Sequence, residues 1–126
     1  MSRADEIIDN LPAGLDRAVL RVLSGHSGRK NAIGRGALVR SLAQLGWHVS
    51  ERQARAMISQ LRKAGALIGS APGEDGGYYL IESQDEFDTF VATEYRAKIT
   101  DMQETLSAMT RAARQQWAGV DQLKLF

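Results

Sequence analysis

The chain contains no cysteine. That excludes a disulfide framework, thiolate chemistry and a cysteine-ligated zinc, and it fits a reducing compartment. Histidine is nearly as scarce. His26 and His48 fall in a loop and a turn, with no His/Asp/Glu trio at ligand spacing, so no metal, cofactor or catalytic constellation is expected. Ser24, Ser27, Ser50 and Ser83 sit at helix ends, where a cap or loop hydrogen bond explains them. No apolar run approaches the length of a membrane span. The opening "MSRADEIIDN" carries acids where a signal peptide would carry its apolar stretch. The expectation is a cytoplasmic protein that is not an enzyme and has no membrane partner.

The 126 residues suffice for one modest core, and the net charge of +1 shows no bulk excess. The distribution of charge is more telling. Residues 34–63 hold Arg35, Arg40, Arg52, Arg55, Arg62 and Lys63 against Glu51 alone. Residues 64–83 hold only the acids Glu74, Asp75 and Glu82. A basic segment inside a near-neutral chain marks a local surface rather than a bulk property.

Residues 1–14 read as an N-terminal lead, and residues 15–83 as one mainly α domain. "LDRAVLRVL" sets Leu15, Val19, Val22 and Leu23 at helical spacing before Gly25. "GHSGRKNAIGRG" reads as a basic connecting loop; it lacks the order of a phosphate-binding loop, and no strand precedes it. "GALVRSLAQLG" predicts a second helix with Leu38, Leu42 and Leu45 on one side. In "WHVSERQARAMISQLRKAG", Ser50 and Gln53 form a capping box, and Ala54, Met57, Ile58 and Leu61 form a buried stripe ended by Gly65. Two short helices joined by a tight turn, the second sharply capped, have the sequence shape of a helix-turn-helix. "ALIGS" and "GYYLIES" flank the turn "APGEDG" and predict a β-hairpin.

Ser83 and Glu86 then open a long helix, expected over residues 84–118. Tyr95, Ile99, Met102, Leu106, Met109 and Ala113 follow one another at alternating steps of four and three, a heptad seam with Phe87, Phe90 and Val91 ahead of it. Such a helix outruns a small core. A homodimer through this arm is expected, the alternative being that it folds back on its own chain. Gly119 is expected to end the helix and to leave residues 119–126 as a flexible tail.

On the third helix, Arg52, Arg55, Ser59 and Arg62 share the face opposite the apolar stripe. Their guanidinium groups suit a guanine edge or paired phosphates in a groove that admits a helix. Arg35 and Arg40, with Arg29 and Lys30 in the loop, could hold backbone phosphates. The plainer alternative is a basic surface on a protein-interaction module, and the acidic tip "PGEDGG" favours it, since Glu74 and Asp75 would repel phosphate.

"RGALVRSLAQLGWHVSERQARAMISQLRKAGALIGS" followed by "GGYYLIES" resembles the winged helix-turn-helix proteins of phage and prophage genomes, over about Leu15 to Tyr95. The resemblance implies three helices, a β-hairpin wing and binding to double-stranded DNA, in a nucleoid-associated setting. "QLKLF" resembles the pentapeptide by which bacterial replication and repair proteins bind the sliding clamp. Gln122, Leu123, Leu125 and Phe126 match it, and Lys124 departs at its third position. Together the two imply an accessory protein of bacterial or phage DNA replication. A transcriptional regulator, or an adaptor that never touches DNA, remains the alternative.

Overall fold

In "LDRAVLRVL" the apolar residues recur every three or four positions, and helix α1 (Leu15–Leu23) forms on that pattern, burying Leu15, Ala18, Val19 and Leu23. The structure, a computed structural model, describes the backbone of residues 13–74 and 76–124, and the side chains of that range as far as residue 118. It falls into two units, Met1–Asp88 and Thr89–Phe126.

In the first unit a 3-10 turn (Arg29–Asn31) precedes α2 (Arg35–Gln44) and α3 (Glu51–Lys63). The three helices pack on one another around Leu15, Val19, Leu23, Leu38, Leu42, Met57 and Ile58, each at most 1% exposed. Burying each such side chain contributes roughly 1.5–3 kcal/mol. Leu45, expected beside Leu38 and Leu42, is instead 41% exposed. It is the residue at which α2 has already left helical geometry, with φ −88 and ψ 3.

The helices end where glycine takes positive φ. Gly46 (φ 91) lets the Trp47 amide donate to the Leu42 carbonyl at 2.9 Å. Gly65 (φ 101) does the same for Ala66 and Leu61 at 2.9 Å. Both are six-to-one closures that satisfy otherwise orphaned carbonyls and turn the chain sharply.

Strands β1 (Ile68–Ala71) and β2 (Gly77–Leu80) form an antiparallel hairpin with Ile68 opposite Leu80 and Gly69 opposite Tyr79. Gly69 has no side chain because the Tyr79 ring lies over it; a Cβ there would strike the ring. The second edge of β2 is covered too. Ile33 and Tyr78 exchange backbone hydrogen bonds at 2.8 and 2.9 Å, and Leu80 binds both Gly28 and His26. The segment read as a connecting loop is thus held to the sheet through its backbone.

Helix α4 (Gln84–Val91), a π-helix (Ala92–Arg96) and α5 (Ala97–Lys124) complete the chain. The expected break at Gly119 is not where the helix is interrupted. The non-helical residue is Trp117 (φ −116, ψ 18), after which the backbone resumes its helical course to Lys124. A single glycine raises the cost of a helix by about 1 kcal/mol but keeps both its N–H and its C=O, so it need not end one. Among the described residues no helix is long and apolar enough to cross a membrane.

Candidate nucleic-acid interface

Helix α3 is built to present a fixed face. The Ser50 hydroxyl accepts from the Gln53 amide at 3.1 Å, and the Gln53 side chain accepts from the Ser50 amide at 2.9 Å, so the expected capping box is present. Ala54, Met57, Ile58 and Leu61 are at most 3% exposed and hold the opposite side in the core. Arg52, Arg55 and Ser59 consequently stand on the solvent side, all three exposed.

Arg62 does not join them. It is half-buried, and its Nε donates to the Ile68 carbonyl at 2.8 Å, bracing the chain where α3 turns into β1. At about 100° per residue, Arg62 lies only about 40° around the axis from buried Ile58. The same rule sets it about 20° from exposed Arg55, so it stands at the border between stripe and face. Lys63, by contrast, lies about 20° from Arg52 and is exposed. It takes the place at the end of the row that Arg62 was expected to fill.

Arg35 and Arg40 occupy a second site. Helix α2 begins after Gly34, whose extended backbone (ψ 157) supplies no side-chain cap, so the first amides of the helix have no such partner. A cleft of about 320 Å³ lies between this end and the hairpin tip, lined by Arg35, Arg40, Glu74 and Gly76 among others. The Arg40 guanidinium reaches to 3.2 Å from where a Cβ on Gly36 would stand, and the Glu51 carboxylate to 3.9 Å. Glu74 of the hairpin tip therefore shares a cleft with the two arginines.

Arg29 and Lys30 belong to neither site. Glu86 accepts from the Arg29 amide with one carboxylate oxygen and from the Glu82 amide with the other, each at 3.1 Å. Its own amide donates to Ser83 Oγ at 3.1 Å. The capping box expected from Ser83 and Glu86 is therefore half made, its carboxylate spent one residue upstream and on the 3-10 turn. The Glu82 carboxylate lies against Gly28, close enough to meet any Cβ there. Two acids thus face the backbone that carries Arg29 and Lys30, lowering the positive potential there.

In the second unit, Tyr95, Ile99, Met102, Leu106 and Met109 are 42–68% exposed, so the heptad seam lies open on the single chain. It begins inside the π-helix, which holds Tyr95 and which the spacing did not predict. In an α-helix residues five apart point about 140° away from each other. The π turn, with its i→i+5 closure, brings them to one side. Phe90 and Tyr95 meet there edge to face, with ring centroids 5.5 Å apart and planes at 82°.

Gln122, Leu123, Leu125 and Phe126, the candidate clamp-binding residues, lie outside the described side chains. Among the described residues no group of three or more His, Cys, Asp or Glu is placed to hold a metal ion. No family model, curated protein or solved structure matches the chain.

Proposed function

We propose that the protein is a DNA-binding accessory factor of bacterial or phage replication, with a winged-helix first unit that meets duplex DNA through α3. The observation that carries this reading is the row of Arg52, Arg55 and Ser59 on the solvent side of a helix fixed by a capping box and a buried stripe. Guanidinium groups on a rigid helix suit the major groove, where an arginine can grip a guanine edge with two hydrogen bonds. Arg35 and Arg40 at the open start of α2 supply the phosphate-holding positions. The heptad seam of α5 pairs two copies, and Gln122, Leu123, Leu125 and Phe126 dock on a sliding clamp.

Two binding measurements on the same preparations test this. Arg52→Ala with Arg55→Ala should weaken duplex binding at moderate salt by ten-fold or more, since each arginine gripping a base edge contributes about 1–3 kcal/mol. Removing residues 122–126 should abolish capture on an immobilised bacterial clamp and leave duplex binding intact. Unchanged duplex affinity in the double variant removes α3 from the role, and undiminished clamp capture removes the pentapeptide.

A second reading has its own support. Glu74 lines the cleft of Arg35 and Arg40, and Glu82 and Glu86 face the Arg29 turn. Acids beside these two basic places suit an adaptor that binds protein. Duplex affinity that does not change with salt, or is absent, selects it.

A further inference from the structure

We propose that the helical segment from Tyr95, in the π-helix, to Ala113, in α5, pairs with the same segment of a second copy in antiparallel orientation, Tyr95 of one copy lying opposite Ala113 of the other. This rests on the self-association proposed above and adds its direction and register.

The seam is uneven at its two ends, with four side chains of similar size between them. Its side chains run Tyr95, Ile99, Met102, Leu106, Met109 and Ala113, from a large aromatic ring to a single methyl group. A parallel, in-register pair would stack Tyr95 on Tyr95 at one end and Ala113 on Ala113 at the other. The axes would be forced apart at the first layer and leave a void at the last, and close-packed interfaces tolerate neither. Reversing one helix matches Tyr95 with Ala113, Ile99 with Met109 and Met102 with Leu106. Each layer then has a similar summed volume, and the helix axes can stay at one separation. The pattern is its own complement under a two-fold axis near Glu104, which is what singles out a second copy of this chain as the occupant.

Charge does not direct a parallel pair. The half before Leu106 contains the acids Glu94, Asp101 and Glu104 beside Arg96 and Lys98, and Glu94 holds Lys98 at 3.4 Å. The half from residue 105 to residue 118 contains Arg111 and Arg114 and no acid. Glu94, Asp101, Glu104, Arg111 and Arg114 all fall on outer positions of this repeat, away from a partner helix. From residue 99 onward, the flanking positions that direct parallel pairing through salt bridges hold Gln103, Thr105, Thr110 and Ala112, none of them charged. Opposed helix dipoles add a small favourable term. At 1.5 Å per residue, the two copies of Thr89 would stand about 45 Å apart, whereas a parallel pair would hold them side by side.

The chain's lack of cysteine makes the test clean. Full-length Ile99→Cys and Met109→Cys proteins, each checked for folding by circular dichroism, are oxidised with copper phenanthroline separately and as an equimolar mixture. The expected result is a disulfide-linked dimer in the mixture, joining one variant to the other, with little from either protein alone. Efficient cross-linking of each variant to itself shows a parallel pair and overturns the orientation while keeping the dimer. A dimer by sedimentation that cross-links in no combination overturns the register. A monomer at tens of micromolar for both the parent chain and the variants overturns the self-association itself, and this proposal with it.

Discussion

Arg62 and Lys63 are neighbours in sequence, and helical geometry gives them opposite work. The Arg62 guanidinium is drawn along the border of the buried stripe to the Ile68 carbonyl, so its charge secures the passage from helix to hairpin. Lys63 stays in water. Arg62→Ala should therefore destabilise the first unit by about 1.5–3 kcal/mol, the usual worth of a hydrogen bond from a charged group, in urea unfolding followed at 222 nm. Lys63→Ala should leave the stability unchanged within about 0.5 kcal/mol and weaken duplex binding instead. A stability loss from Lys63→Ala with none from Arg62→Ala would reverse the assignment. Gly77 shows the same dependence on immediate surroundings: its φ of 151 and the Ile33 carbonyl pressed against it leave no room for a Cβ.

At the scale of the element, α3 is the best determined piece of the molecule, because three independent signals in its sequence agree: cap, stripe and stop. Ser50→Ala removes the acceptor for the Gln53 amide and leaves the returning Gln53 hydrogen bond without its counterpart. The expected cost is about 1 kcal/mol in thermal unfolding, with a weaker grip on duplex as the turn carrying Arg52 frays. Wild-type stability in Ser50→Ala would mean that the core stripe alone fixes the start of α3. The capping box, the buried stripe, the hairpin and the seam were legible because side-chain identity and spacing encode them. Three other features were not. The pairing of residues 26–33 with β2 is made by backbone amides and carbonyls, which leave no pattern in side chains. The π-helix depends on where one extra residue is absorbed, and Phe90 and Tyr95 reveal it only once both are placed. Glu86 carried a recognisable capping signature, yet its carboxylate found better donors on Glu82 and Arg29. Within the candidate interface the exposed arginines of α3 were legible, whereas a border residue such as Arg62 is decided by about 40° of helix rotation that spacing does not resolve.

At the scale of the whole molecule, a net charge of +1 is too small to hold DNA by bulk attraction, so any affinity must come from basic residues gathered at particular places. Two such places are described: the α3 face, and the start of α2 beside the hairpin tip. They should behave differently, and salt separates them. Each phosphate neutralised by a lysine or arginine contributes about 0.9 to the slope of log affinity against log salt. Arg35→Ala with Arg40→Ala should lower that slope by close to two and weaken unrelated duplexes by the same factor, because phosphate contacts carry no sequence information. Arg52→Ala with Arg55→Ala should instead weaken preferred sequences more than others, because base edges are read from α3. The measurement is fluorescence anisotropy on several labelled duplexes between about 50 and 200 mM salt. Equal slopes for the parent chain and the Arg35/Arg40 double variant would mean that Glu74 already neutralises that cleft, and that it faces away from the duplex.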